Sequence, residues 1–209
     1  MKHNHLLLLF AIITLAVVSC KNDNTTAPVS PEQADTIVTK VPHEILTDSM
    51  VNELRLAHKR SMDLYSSELF NKYAEYVYPA YFDYLKRRNH YATTAQAKAQ
   101  YVDMLVKNNE NFWEQKVSVI APQAQTYGFT FSHITDTASY QGNLLLTYSQ
   151  LPYYFTGKDT IRNATPGSGL AIYLSRKNTW YFLDVNIPHI KEILRHDFDN
   201  TTINRIINN

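Results

Sequence analysis

The apolar positions of this chain change period once. Up to about Lys116 they recur at helical spacing, and from Tyr127 onward they alternate as the side chains of a strand do. A first helix is predicted over Asp48–Ser66, with Thr47, Asp48 and Ser49 as N-cap candidates and Leu54, Ala57, Ser61, Leu64 and Tyr65 on one face. A second helical segment, Glu68 to Lys86, carries Phe70, Tyr73, Ala74, Val77, Tyr81 and Leu85 in register but holds Pro79 inside it. Proline removes an amide donor and crowds the preceding turn, so this segment reads as two short helices broken at Tyr78-Pro79. Thr93 or Thr94 caps a third long helix. It runs to about Lys116, with Ala97, Tyr101, Met104, Leu105, Asn108 and Phe112 facing inward.

Four strands follow: Tyr127 to Ser139, Gly142 to Phe155, Asp159 to Ser175 with an interruption at Pro166-Gly167, and Thr179 to Asn186. The last two meet in a hairpin, Gly169 to Asn186, around the polar turn Arg176-Lys177-Asn178. Leu170, Ile172 and Leu174 point one way, Ala171 and Tyr173 the other; Trp180, Phe182 and Asp184 then alternate with Tyr181, Leu183 and Val185. A sheet solvated on one side would show cleaner polar alternation. The hairpin is therefore expected mid-sheet, with something covering each face. Pro188 can open a short final helix with Ile190, Ile193 and Leu194 inward, and the polar end, Asn200 to Asn209, closes the chain. Helices first and antiparallel strands after make an α+β fold, with N-terminal helices packed on an antiparallel sheet in one domain over residues 43–209.

The N-terminus reads differently. Lys2, His3 and His5 precede an apolar run, Leu6 to Val18, interrupted only by Thr14. That is the size of a signal-peptide core and short of the roughly 20 residues a membrane-spanning helix needs. The run ends in Val17-Val18-Ser19-Cys20, which resembles the lipobox of bacterial lipoproteins. The resemblance implies a signal peptide over residues 1–19, removed before Cys20, and a lipid on Cys20 that anchors the chain to a membrane. Lys21 rather than Asp follows the cysteine, which by the same resemblance points to the outer membrane of a Gram-negative cell. Residues 20–42, the cysteine and the Pro-containing polar stretch Lys21 to Pro42, read as a flexible tether. Some 20 such residues reach roughly 25 Å.

Composition narrows the chemistry. The chain has 20 Lys and Arg against 19 Asp and Glu, and Lys2 would leave with the signal, so the remainder is formally neutral. Phosphate backbones are bound by basic faces, so nucleic acid is not an expected partner. Cys20 is the only cysteine; once acylated it leaves no thiol for a disulfide, a thiolate zinc site or a cysteine nucleophile. Tyrosine is abundant at 15 residues, the aromatic that tolerates a half-wet surface.

The order of elements, together with Tyr76-Val77-Tyr78-Pro79 in the second helical segment and Trp180-Tyr181-Phe182-Leu183-Asp184 after a polar turn, resembles the nuclear transport factor 2-like superfamily. The resemblance covers roughly Leu54 to Leu194, and the set is also similar to small uncharacterised lipoproteins. It implies a cone of curved antiparallel sheet around N-terminal helices, a cavity inside it, and pairing of sheets about a two-fold axis in a homodimer. Where the superfamily usually has a Gly pair after the Tyr-Pro helix, this chain has Arg87-Arg88-Asn89.

Enzymes of that superfamily, isomerases among them, work inside the cone with an Asp or His base and Tyr donors. The matching candidates for a cavity lining here are Tyr78, His133, Tyr148 and Trp180. His133 and Asp136 lie three apart, on opposite faces of a regular strand, so they cannot pair there. His189, Glu192 and His196 share one helix face, but the opposite face is apolar, and a solvated amphipathic side explains them without a metal. Tyr73, Tyr76, Tyr78, Tyr81, Phe82 and Tyr84 read as packing of helix on sheet, or more sharply as a ligand-facing aromatic lining. The chain has no Gly-rich phosphate loop, Ser elbow or zinc signature, and no cofactor is expected. The expected function is a membrane-anchored, non-catalytic binding or accessory protein for a small-molecule or protein ligand; the alternative is a cone-cavity enzyme of the isomerase or dehydratase type. Tyr181, Leu183, Tyr173, Leu145, Leu151 and Tyr153 would form an outward patch and a dimer interface if the helices cover one face only, unless Ile190 to Ile207 folds back over it.

Overall fold

The computed structural model describes residues 46–208 except 118, 120, 163 and 164. Residues 1–42, where a signal peptide, a lipidated Cys20 and a tether are expected, lie outside the described residues. Helix α1 spans Asp48–Ser66, opened by Thr47, whose hydroxyl accepts from the Met50 amide at 3.3 Å. It ends where Glu68 turns into the left-handed region at φ 59°. The single turn α2, Phe70–Tyr73, leads to the extended Tyr76–Tyr78, and Pro79 then starts α3, Pro79–Asn89. At N1 the missing proline amide is one the helix could not have used, so the Tyr-Pro break places a helix start without cost. His90 closes α3 in the left-handed conformation at φ 57°, the place a glycine would otherwise fill after Arg87-Arg88-Asn89. Helix α4, Thr94–Phe112, is capped by Thr93 and runs on through a π-helical turn, Trp113–Val117.

The sheet comprises β1 (Thr126–Tyr140), β2 (Asn143–Phe155), β3 (Thr160–Arg162), β4 (Gly167–Leu174) and β5 (Thr179–Asp184), all antiparallel, in the order β1-β2-β4-β5. The expected strand Asp159 to Ser175 is split, with β3 paired to the end of β2 and β4 to its beginning. The last hairpin is not mid-sheet, because β5 is an end strand. Its outer edge is covered by Tyr76–Tyr78: the Phe182 amide donates to Tyr76 O at 2.8 Å and the Tyr78 amide to Phe182 O at 3.2 Å. At the other end, β1 carries two register shifts, which bend it and interrupt an otherwise long open edge.

Both faces of the sheet are buried, and by different helices. On one face Leu54 of α1 packs with Leu144, Leu146, Tyr148, Ala171, Trp180 and Phe182. On the other, Leu145, Leu170, Ile172, Leu174, Tyr181 and Leu183 pack with α3 and with two C-terminal helices, α5 (Ile190–Leu194) and α6 (Asn200–Ile207). The premise that helices cover one face only is therefore corrected. Leu145, Tyr181 and Leu183, expected in an outward patch, are buried within the chain, while Tyr173, Leu151 and Tyr153 are half-buried. The supposed polar end is a helix whose Ile203 and Ile206 are buried, capped by Asp199 on the Thr202 amide at 2.9 Å. No helix among the described residues is long and apolar enough to cross a membrane.

α1 also buries His58, which is 1% exposed and surrounded edge-on by the rings of Phe131, Tyr148 and Phe182. Its Nε2 lies 3.1 Å from Gln150 Oε1, an acceptor, which assigns the ring proton to Nε2. Burial, the dominant influence, holds its pKa below the ordinary 6.5, against a smaller upward pull from the Gln150 bond. As pH falls below 6.5 the unfolded chain takes up a proton that the folded chain refuses, so stability is full above that pH and declines beneath it. Urea midpoints at about pH 7.5 and about pH 5.5 should show this decline in the wild type and a smaller one in His58→Phe. Identical declines in the two proteins would mean His58 is protonated in place.

Candidate functional site

A concavity lies at one end of the sheet, where three chain segments meet. The first is the two-residue turn Gln141-Gly142 between β1 and β2, with φ of 50° and 79°. Positive φ at both positions gives the turn whose twist suits a hairpin, and Gly142 tolerates it without a side-chain clash. The second is the turn from β4 to β5, a 3-10 stretch Ser175–Lys177 closed by Asn178 at φ 49°. The third is Arg195–Phe198, between α5 and α6, with Phe198 sunk into the core at 3% exposure. Asn143 ties the two turns together: its Oδ1 accepts from the Ser175 amide at 3.0 Å and from Ser175 Oγ at 3.1 Å. The open groove between the segments has a volume of about 450 Å³. This lies within the roughly 300–1,000 Å³ of small-molecule sites.

Asp197 is its buried anchor, with a side chain 8% exposed. The carboxylate accepts from Tyr78 Oη at 2.6 Å, from His196 Nδ1 at 2.9 Å and from Arg176 Nη2 at 3.0 Å. Burial pushes its pKa upward, but the Tyr78 and His196 hydrogen bonds and the charges of His196 and Arg176 outweigh that and hold it below the ordinary carboxylate value. Burial and the same bond to Asp197 push the Tyr78 hydroxyl up. Asp197 is thus an ionised carboxylate saturated with donors, a poor proton acceptor and a good structural tie. Ser175, His196 and Asp197 all line the groove but are not wired as a nucleophile and base, because Ser175 Oγ donates to Asn143 rather than to His196.

Of the four residues expected to line a cavity, Tyr148 and Trp180 share one core cluster, while Tyr78 belongs to another and His133 to neither. Tyr148 and Trp180 are core residues at 3% and 4% exposure, and the Tyr148 ring lies against Gly169, where an added Cβ would come within 2.5 Å of it. Tyr78 is fully buried and reaches the groove only through its bond to Asp197. His133 is exposed, next to Ser132 Oγ at 3.1 Å. The register shift between Ile134 and Asp136 breaks the regular alternation assumed for β1, so His133 and Asp136 stand opposite Ser149 and Thr147, which share a face of β2. Asp136 instead meets Arg205 of α6 at 3.5 Å. His189 and Glu192 approach to 4.0 Å, while His196 lies beyond the end of α5 and turns to Asp197. Among the described residues no group of three or more His, Cys, Asp and Glu is placed to hold a metal ion. Tyr81, Phe82 and Tyr84 pack in the core, the bland alternative for the aromatic set.

Sequence reasoning passed over His58, Arg176, Arg195 and Asp197 as site residues. For His58 the signal was available, since Leu54, His58, Ser61 and Tyr65 follow one helical stripe. For Asp197 it was not, because its partner Tyr78 is 119 positions away. Comparison of the chain with protein-family models, with curated proteins and with solved structures finds no match.

Proposed function

We propose that this chain is a membrane-anchored, non-catalytic binding or accessory lipoprotein, with the groove beside Asp197 as its ligand site and the α+β domain as the scaffold. The observation that carries the reading is the state of that groove: its one buried acid is consumed by protein donors, while arginine side chains remain at an open, polar surface. Such a site holds a ligand without supplying a base or a nucleophile. A nuclear transport factor 2-like cone is proposed for the sheet on the order of elements and the Tyr78-Pro79 and Trp180–Asp184 motifs. The anchor rests on the apolar run ending at Cys20, and placement in the outer membrane of a Gram-negative cell on Lys21.

The isomerase or dehydratase alternative would look to His58, a buried ionisable ring with a hydrogen-bonding partner between α1 and the sheet. Three aromatic rings pack around it, so a substrate would have to displace them.

The anchor is tested by growing cells with a labelled fatty acid: wild type should take up label and Cys20→Ala should not. Equal labelling would reject lipidation. The binding reading is tested by screening small molecules for thermal stabilisation of the full chain in detergent. A compound that raises the melting temperature and is recovered unchanged supports binding, since saturation at 100 times Kd adds about 2.7 kcal/mol. Chemical conversion of such a compound, lost in His58→Gln, would favour the enzyme.

A further inference from the structure

The charges around the groove do not balance. Asp197 is matched by Arg176 at 3.0 Å, while Arg195, on the same groove, makes no ion pair among the described residues. Among the described residues the hydrogen-bond partner of its guanidinium is neutral: Nε donates to Asn200 Oδ1 at 3.0 Å. That bond fixes the plane of the group. It also leaves Nη1 and Nη2 without a protein partner among the described residues, and these are the donors of the fork that grips a carboxylate through two parallel hydrogen bonds. Arg176 uses one Nη2 bond on Asp197 and is 59% exposed, so the rest of its fork, though its charge is matched, borders the same space. His196 is held by Nδ1 and is half-exposed on the groove. The rest of the wall includes hydroxyl and amide groups, those of Tyr140, Gln141, Asn143 and Ser175, which suit a ligand rich in hydroxyls.

We infer that the groove binds a small hydroxylated organic anion, its carboxylate on the free edge of Arg195 beside Arg176 and its hydroxyls against the polar turns. Acidic sugars are the ligand class that fits. The inference rests on the binding reading above and gives that site a chemistry. Arg195 acts here as a ligand-binding residue; Asp197 and Asn200 are positioning residues that set the two guanidinium groups.

The test is calorimetric titration of the full chain in non-ionic detergent with three probes: glucuronate, glucose and inorganic phosphate. Glucuronate should bind, glucose should bind at least about tenfold more weakly, and added salt should weaken the glucuronate complex. Arg195→Ala should reduce glucuronate affinity at least about tenfold with an unchanged melting temperature, as expected for an exposed side chain. Arg195→Lys keeps the charge but not the fork, and should also bind more weakly than wild type. Glucose binding as well as glucuronate, phosphate binding in its place, or glucuronate binding that ignores Arg195 would each overturn the inference. Absence of binding by all three probes would overturn it too. None of these results bears on fatty-acid labelling at Cys20 or on hits of other chemistry from the small-molecule screen, so the broader reading fails or stands separately.

Discussion

Trp180→Ala is expected to cost about 3–5 kcal/mol, the range for removing a large aromatic from a packed core. Trp180 is 4% exposed on β5 and packs in one cluster with Leu54, Leu144, Leu146 and Phe182. Its ring centroid lies 5.1 Å from that of Tyr173, its cross-strand partner. The site is closed on one side by α1 and on the other by the sheet itself, so collapse around an alanine would have to move a helix. One detail sharpens the expectation. Nε1 of Trp180 is buried without a hydrogen-bond partner among the described residues, a defect that costs free energy in the native state. Trp180→Phe removes that orphan together with part of the ring, so its loss should be smaller, under about 1.5 kcal/mol. Urea titration checks both variants, read as a shift in midpoint at constant m. A loss under about 1 kcal/mol for Trp180→Ala would mean that the residue faces solvent and the β4–β5 register is shifted by one.

That register was legible because alternation over Leu170–Leu174 and Trp180–Leu183 is a local property. The same holds for α1, whose bounds follow from Thr47 and a helical stripe, and for the break at Pro79. What escaped has a physical reason in each case. The bulges of β1 insert residues that a period-two reading cannot detect, because Phe131 and Ile134, three apart, share a face only once Ser132 is unpaired. Helix α6 is rich in Asn and Thr, poor helix formers, and it is stabilised by burying Ile203 and Ile206 rather than by propensity. Its packing matches the alternative that Ile190 to Ile207 folds back over the sheet face otherwise offered as an outward patch. The groove was the least accessible feature. Asn143, Arg176 and Asp197 are polar residues in three turns, and only the pairing of β2 with β4 and the return of the C-terminal segment bring them together.

The second large effect is expected at Asp197. Asp197→Ala removes the acceptor shared by Tyr78, Arg176 and His196, and leaves the hydroxyl of a fully buried tyrosine without a partner. Breaking a buried charged pair typically costs about 3–5 kcal/mol. The lower end of that range applies here, since Arg176 and His196 are 59% and 48% exposed and can turn to water. Tyr78→Phe should cost about 1–3 kcal/mol, because it takes a donor from a carboxylate that stays buried. Combined with Asp197→Asn it should cost less than the sum of the two, as residues in one network do. The pH dependence gives an independent check. The pKa of Asp197 is lowered on folding, so its contribution is fully present above the unfolded value of 3.8 and is lost as pH falls below that value toward the folded pKa. Asp197→Asn carries no such proton, and the gap in stability between wild type and variant should therefore narrow as the solution is acidified below 3.8. This window is separate from that of His58, which begins at 6.5. A gap that stays constant between pH 5 and pH 2 would show that the carboxylate is not the ionised tie between Tyr78, Arg176 and His196, and the groove would lose the anchor on which its geometry depends.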